Sequence, residues 1–211
     1  MPTLAEAARH LKPRHQFHSL PRLILMTDSV RLPDPAIAIR NLPRGSAVIV
    51  RERHRETRAA LARRIKPLCR CRGVRFLIAN DWWLARGIGA DGLHLSEASV
   101  RRASRPWMSS RRPGWIVTSA AHSPRAVRLA AALGVDAVLL SPVFATRSHP
   151  GAPTMGPMRF ARWVSESPIP VYALGGIDAR SGRRLRGSGA AGFAAIGGLL
   201  PPSQPASASP A

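Results

Sequence analysis

His122 is the side chain in this sequence best suited to transferring protons. It comes shortly after an apolar run, residues 115–118, and residues 119–121 lie between the run and the histidine. With an unperturbed pKa of about 6.5, a histidine can both accept and donate a proton near neutral pH. A lone histidine is more often structural or exposed. His94, which lies inside another apolar run, is expected to be such a structural residue.

Arg51 and Arg53 follow a second apolar run, residues 47–50. If the chain stays extended there, both side chains lie on one face, because side chains alternate along a strand. Guanidinium groups at such a place suit a phosphate, pyrophosphate or carboxylate group of a substrate. In a chain this rich in arginine, the same residues can also form a solvated loop.

Asn80 and Asp81 follow a third apolar run, residues 76–79. Their amide and carboxylate oxygens suit a hard cation such as Mg²⁺. Asn and Asp also commonly cap helices, and a helix is expected to begin at Trp82. The two interpretations stay open on this evidence.

Two glycine pairs, Gly175-Gly176 and Gly197-Gly198, follow the last two apolar runs of the chain. Glycine lets backbone N–H groups approach an anion closely, and a barrel commonly binds phosphate in the loops after strands seven and eight. The alternative is that these glycines only form turns.

A long polar loop, residues 141–151, carries Thr146 and Ser148 and is suited to covering a substrate.

All these groups are placed by one repeating pattern of elements. Eight short apolar runs alternate with stretches that carry helical signals, and buried parallel strands read as continuous apolar runs. Strict alternation predicts an α/β protein with a single (β/α)₈ TIM barrel, and a doubly wound open sheet is the alternative. The eight runs are residues 24–26, 47–50, 76–79, 92–95, 115–118, 137–140, 171–174 and 192–196.

The two ends of the chain differ from the barrel sequence. Residues 1–20 are predicted to be an N-terminal extension with one short helix, residues 21–200 the barrel, and residues 201–211 a disordered tail rich in Pro, Ser and Ala. A complete barrel normally closes with a helix after its eighth strand. Here we expect that helix to be absent or to be supplied from elsewhere, for instance by the N-terminal segment.

The composition excludes some classes of function. The formal net charge is +21, and 30 of the 32 basic residues are arginine, but they are scattered and no nucleic-acid-binding motif accompanies them. Cys69 and Cys71 are too few for a zinc site and too close for an ordinary disulfide. Since no run approaches the roughly 20 apolar residues of a membrane span, a cytoplasmic location is expected.

Nine segments resemble the thiamine phosphate synthase/TenI family in order and spacing, from about residue 23 to residue 200. They are residues 26–28, 51–53, 79–81, 90–95, 119–123, 134–138, 141–146, 169–177 and 189–192. That family has the TIM-barrel fold. Its synthase branch joins a pyrimidine pyrophosphate to a thiazole phosphate using Mg²⁺, and one group of its TenI branch aromatises the thiazole phosphate by shifting a proton. Both branches bind this phosphate after strands seven and eight, which implies that role for Gly175, Gly176, Gly197 and Gly198.

The synthase pattern is incomplete in this chain. The resemblance places the first magnesium-binding aspartate at Asp81 but the second at Ser99. Losing one of two carboxylates weakens a hard-cation site. Three further synthase features also change: the Gln-x-Arg-x-Lys motif becomes Ile49, Arg51 and Arg53, an expected serine becomes Ala120, and an expected lysine becomes His149, while Thr146 and Ser148 are kept. Losing lysine and glutamine weakens the binding of pyrophosphate and the orientation of the pyrimidine.

The resemblance therefore favours a TenI-like enzyme acting on thiazole phosphate, with His122 as general acid/base. It implies that Arg51 and Arg53 hold acidic groups of this small-molecule substrate and that Asn80, Thr146 and Ser148 also bind it. The first alternative is a divergent synthase in which Asp81, helped by Glu97, anchors Mg²⁺; the second is a non-catalytic barrel that binds thiazole or thiamine phosphate. The tautomerase needs no cofactor. No membrane or nucleic-acid partner is expected, and the sequence leaves open whether the protein is a homo-oligomer.

Overall fold

The chain folds into a closed barrel of eight parallel strands. The computed structural model describes residues 3–15, 19–102, 106–109, 111–146, 151 and 153–199. Each strand pairs with its neighbours in sequence, and the first pairs with the last, Leu23 opposite Phe193. The (β/α)₈ prediction is confirmed, and the open-sheet alternative is wrong. The strands are β1 Leu23–Met26, β2 Ala47–Val50, β3 Arg75–Ala79, β4 Gly92–Leu95, β5 Ile116–Ala121, β6 Ala137–Leu140, β7 Val171–Ala173 and β8 Gly192–Ala195.

Strand β5 is longer than the apolar run that predicts it. The polar Ser119 was expected to end the strand, yet β5 continues to Ala121 and pairs with β6, Ser119 opposite Val138 and Ala121 opposite Leu140. Serine and alanine side chains are small enough to stay buried between neighbouring strands, so the backbone ladder continues through them. His122 consequently follows the strand directly, with no intervening loop.

The helices alternate with the strands and cover the barrel. The longest helix extends over Arg55–Arg72 and ends at Gly73, whose φ of 62° is the left-handed conformation that glycine adopts easily. Within the described residues the helices are α1 Leu4–Arg9, α2 Ala36–Asn41, α3 Arg55–Arg72, α4 Trp82–Gly87, α5 Glu97–Arg101, α6 Pro106–Ser109, α7 Pro124–Ala132, α8 Gly156–Ser165 and α9 Ala179–Arg183, with a 3₁₀ turn at Gly197–Leu199. None of these helices has the length and apolar character needed to cross a bilayer.

The N-terminal segment packs against the outside of the barrel. Four of its apolar side chains are buried, and Leu4 lies close against Gly182 of α9. The Arg14 amide donates to the carbonyl of Gly189, and the Arg22 guanidinium donates to the carbonyl of Leu11. Helix α1 thus covers the wall beside α9, the side on which a helix following β8 is expected. The predicted tail, residues 201–211, lies outside the described residues. The buried residues of the segment are Leu4, Ala7, Ala8 and Leu11.

Candidate functional site

The polar residues singled out in the sequence gather at one end of the barrel. Because all eight strands are parallel and closed, their carboxyl ends form a single mouth, where the active sites of such barrels lie. Asp28 follows β1, Arg51 follows β2, Asn80 follows β3 and His122 follows β5. The glycine pairs stand after β7 and β8.

The His122 side chain is exposed at the mouth, and a hydrogen bond holds one of its two ring nitrogens. Its Nδ1 lies 2.9 Å from the carbonyl oxygen of Ser141, at the end of β6. A carbonyl oxygen only accepts hydrogen bonds, so Nδ1 carries the hydrogen in this contact. In the neutral ring, Nε2 is therefore the nitrogen with the free lone pair. This is the arrangement that a general base requires.

Glu97 holds the backbone beside His122. One carboxylate oxygen accepts the His122 amide at 3.0 Å, and the other accepts the Arg101 guanidinium at 2.6 Å. The synthase alternative assigned Glu97 to a magnesium site with Asp81, but both of its oxygens are used in these contacts. Sequence reasoning missed this role. The available signal was the spacing of Glu97 and Arg101, which places them on one helix face.

Asp81 is almost fully buried and is surrounded by donors. Its Oδ1 accepts the Leu84 amide at 2.9 Å, so the residue caps α4, as the capping interpretation predicts. Its Oδ2 lies 3.3 Å from Nε of Arg55 and 3.2 Å from Nη2 of Arg58. Sequence reasoning missed this triad, because Arg55 and Arg58 lie at the start of α3, far from Asp81 in the chain.

Asn80 ties the end of β3 to the start of α5. It has a positive φ of 56°, which Asn tolerates better than most residues. Its side-chain oxygen accepts the Ser96 amide at 2.7 Å and the Ser99 hydroxyl at 3.0 Å. The residue at the second aspartate position of the synthase pattern is therefore a hydrogen-bond donor to Asn80.

This donor set does not fit a magnesium ion. The oxygens of Asp81 and Asn80 that would bind the cation already accept hydrogen bonds, and two guanidinium charges stand against Asp81. In the described part of the chain, no three His, Cys, Asp or Glu side chains are grouped so that they could hold a metal. Of the functions considered for this chain, only the synthase alternative requires Mg²⁺.

Arg51 lies at the mouth, and Arg53 is exposed beyond it. Strand β2 ends at Val50, so neither arginine lies within a strand. The Arg51 guanidinium is 3.2 Å from a carboxylate oxygen of Asp28, while Arg53 forms no ion pair within the described ranges. Between them, the buried Glu52 accepts the hydroxyl of Thr27 at 3.0 Å. The alternation in exposure thus follows the prediction, although the strand does not extend this far.

The carboxyl group of Asp28 is acidified by its arginine neighbours. A hydrogen bond from Arg31 is the main cause, and the positive charge of Arg51 adds to it; together they lower the pKa to about 2. His94 lies in the wall of the barrel, where its Nδ1 is 2.9 Å from the Thr118 hydroxyl. Burial lowers the pKa of His94 to about 3, with a further contribution from Arg51. His94 is therefore neutral near pH 7 and has the structural place expected of it.

At three of the four candidate glycines, neighbouring backbone atoms leave no room for a side chain. A Cβ at Gly175 would stand 2.8 Å from Cα of Pro142, and one at Gly176 would stand 2.4 Å from the carbonyl oxygen of Ala145. A Cβ at Gly198 would stand 2.1 Å from the carbonyl oxygen of Ile177, whereas Gly197 faces open space. The loops after β6, β7 and β8 therefore pack directly on one another. Their binding of phosphate stays a prediction.

The loop after β6 is described only in part. Thr146 is half-buried at its described end, whereas Ser148 and His149 lie outside the described residues. Beside this loop, the Arg184 guanidinium lies over the ring of Phe144, 5.2 Å from its centre. Arg184 belongs to the segment that follows α9, and its position next to the predicted phosphate loops was not anticipated from the sequence.

Fold and site together define a (β/α)₈ barrel of the kind that carries its chemistry in the loops after its strands. The chain belongs to the thiamine monophosphate synthase family, whose model matches residues 29–199. The resemblance found in the sequence is thereby confirmed at the level of the family. Whether the chain is of the synthase or the TenI branch does not follow from this match.

Two curated relatives support the family, and one solved structure supports the fold. A protein of Aquifex aeolicus, provisionally named thiamine-phosphate synthase 2, is 34% identical over 192 residues, which is 86% of this chain and 98% of that protein. The thiamine-phosphate synthase of Geobacillus thermodenitrificans is 31% identical over 159 residues, covering 74% and 70% of the two chains. Thiamine phosphate pyrophosphorylase from Pyrococcus furiosus matches in fold with a TM-score of 0.67 and 24% identity, covering 83% and 85% of the chains.

Proposed function

We propose that the protein is a TenI-like thiazole tautomerase, an enzyme that aromatises a thiazole phosphate by moving a proton. The observation that carries this proposal is the contact from His122 Nδ1 to the Ser141 carbonyl oxygen, which leaves Nε2 free to accept a proton. In the reaction, Nε2 removes a proton from one carbon of the non-aromatic thiazole and returns a proton to another carbon. One C–H bond is broken and another is formed while the double bonds shift, so the reaction is redox-neutral and needs no cofactor.

The other groups at the mouth bind and orient the substrate in this proposal. The packed loops after β7 and β8 hold the phosphate through backbone N–H groups at Gly175, Gly176, Gly197 and Gly198. After β2, Arg51 and Arg53 attract the other acidic groups of the substrate. Asn80, Thr146 and Ser148 complete the set assigned to substrate binding.

A thiamine phosphate synthase is the second candidate, and the curated relatives named as synthases favour it. The misfit of the Asp81 and Asn80 oxygens to Mg²⁺ argues against it. Two assays on the purified full chain separate the candidates: aromatisation of the thiazole phosphate, followed by ultraviolet absorbance, and formation of thiamine phosphate from the two synthase substrates with Mg²⁺. Efficient magnesium-dependent synthesis without aromatisation would replace the tautomerase with the synthase.

A further inference from the structure

We propose that the groove between helices α5 and α7, on the outside of the barrel, binds a nucleotide-class anion and that this binding is linked to the position of His122. The groove has a volume of about 480 Å³, which lies in the usual range of small-molecule sites. Binding in the groove does not depend on which reaction the enzyme catalyses. The residues that line it are Arg101, Arg125, Ala126, Arg128 and Leu129.

Three guanidinium groups set the charge of the groove. Arg125 and Arg128 lie one turn apart on α7, are exposed and form no ion pair within the described ranges. Arg101, at the end of α5, is 54% exposed and pairs with Glu97 through one nitrogen at 2.6 Å, so other N–H groups of its guanidinium remain for a ligand. Glu97 therefore offsets only one of three positive charges, and an anion in the groove relieves the repulsion that remains.

The groove also has an apolar floor. Ala126 is buried and Leu129 is half-buried, and both belong to α7. Guanidinium groups bind phosphate oxygens in pairs and also stack on flat aromatic rings. A nucleotide carries both a chain of phosphate groups and a flat base that can cover the apolar floor. An inorganic anion has no such part and would leave Leu129 in contact with water.

Both walls of the groove begin beside His122. Glu97, in the first turn of α5, accepts the His122 amide at 3.0 Å with the carboxylate oxygen that does not contact Arg101. Ser123, the residue after His122, caps α7 by accepting the amide of Ala126 at 3.2 Å. A ligand that draws the Arg101 guanidinium towards its phosphate groups therefore weakens the hold of Glu97 on the backbone of His122.

Titration calorimetry of the full chain with ATP and EDTA tests the binding. The buffer contains about 0.15 M NaCl, which screens the general attraction of an anion to a chain of net charge +21. We expect Arg125→Ala combined with Arg128→Ala to weaken ATP binding by roughly 10- to 100-fold, because charge-assisted hydrogen bonds are lost. Arg183→Ala with Arg186→Ala is the matched control, since it also removes two exposed charges one turn apart, at the end of α9. The control should keep the wild-type affinity, and circular dichroism should show both double variants folded.

Inorganic triphosphate is the second probe, because it carries the phosphate charges without the base. We expect it to bind at least about 10-fold more weakly than ATP, since it buries no apolar surface on the floor of the groove. No binding of ATP, or an equal affinity for ATP in the two double variants, would overturn the site. Equal affinities for ATP and triphosphate would overturn the nucleotide class.

NMR of isotope-labelled histidine rings tests the link to the mouth, with His122→Asn used to assign the signal. ATP should move the His122 signal in wild type and leave it in place when Arg125 and Arg128 are both replaced by alanine. In Glu97→Ala, ATP should still bind but no longer move this signal. A wild-type signal that stays in place, or one that moves equally in Glu97→Ala, would exclude the link. Thiazole aromatisation, measured on the same preparation, reports on the tautomerase separately, so the two proposals can fail independently.

Discussion

At the scale of single residues, the tautomer of His122 determines which ring nitrogen can reach a proton of the substrate. The Ser141 carbonyl oxygen fixes Nδ1 as the donor, and Glu97 holds the backbone amide of the same residue. Ser141, directly after β6, thus holds the imidazole, and Glu97, in the first turn of α5, holds the backbone. Such second contacts orient a general base and restrict its motion.

We predict that His122→Asn lowers kcat for thiazole aromatisation by about 10²–10⁴-fold, the usual contribution of general acid/base catalysis. Affinity for the thiazole phosphate should stay nearly unchanged, because the proposed phosphate-binding loops are those after β7 and β8. His10→Asn is the control, since His10 is exposed at the end of α1 on the outside of the barrel. A kcat within about threefold of wild type would exclude His122 as the proton-transfer group, because the lost effect would be below about 1 kcal/mol.

A second prediction at this scale concerns the position of the missing aspartate. Ser99→Asp combined with Arg55→Ala should create Mg²⁺-dependent binding of inorganic pyrophosphate, because it adds one carboxylate and removes one competing guanidinium from Asp81. We expect added Mg²⁺ to strengthen binding at least about 10-fold in this double variant, equivalent to roughly 1.4 kcal/mol. Ser99→Ala with Arg55→Ala is the control and should show no such gain. Equal responses of the two double variants to Mg²⁺ would contradict the role given to Ser99.

At the scale of elements, the N-terminal helix completes the outer layer of the barrel. Helix α1 buries Leu4 against α9, and hydrogen bonds from Arg14 and Arg22 fix the segment that follows it. A buried leucine contributes through the apolar surface it removes from water and through the cavity its loss would leave. The residues predicted to be an N-terminal extension therefore bear on the stability of the barrel.

We predict that Leu4→Ala lowers the free energy of unfolding by roughly 2–5 kcal/mol, the usual range for truncating a buried leucine. Urea unfolding followed by circular dichroism measures this change. Ile37→Ala is the control, because Ile37 is 51% exposed on α2 and its truncation removes little buried surface. A loss for Leu4→Ala no larger than that for Ile37→Ala would show that α1 contributes little to the stability of the barrel.

The elements that the sequence predicted well are those specified locally. Eight apolar runs predicted eight strands because each buried strand needs an uninterrupted apolar segment. The triad of Arg55, Arg58 and Asp81 could not be predicted in the same way, because it joins the first turn of α3 to the residue that caps α4. Arg58 and Asp81 are 23 residues apart in the chain, and their meeting depends on the closed barrel. Likewise, the end of β5 depends on its pairing with β6, which the residues 119–121 alone do not reveal.

At the scale of the whole molecule, the formal net charge is +21, so protonating a carboxylate adds to an already large positive charge. Asp28 and Asp178 both have a pKa below the ordinary value of 3.8, Asp28 chiefly through a hydrogen bond from Arg31 and Asp178 through backbone donation from Ser181. A carboxyl group whose pKa is lower in the folded state stabilises that state above its unfolded pKa. The stabilisation is lost as the pH falls towards the folded pKa.

We therefore predict that the free energy of unfolding decreases as the pH falls from about 4 to the folded pKa of Asp28, about 2. Asp28→Asn should make this decrease smaller.

Protonating carboxylates also raises the net positive charge and increases repulsion within the folded chain, so added salt should stabilise wild-type protein most at low pH. Urea unfolding at a series of pH values, at low and high NaCl, measures both effects. Asp34→Asn is the control, because Asp34 pairs with Arg64 on the exposed surface. If Asp28→Asn and wild type lose stability equally over this range, the ion pairs of Asp28 with Arg31 and Arg51 do not contribute to acid sensitivity, and the loss is due to general charge repulsion.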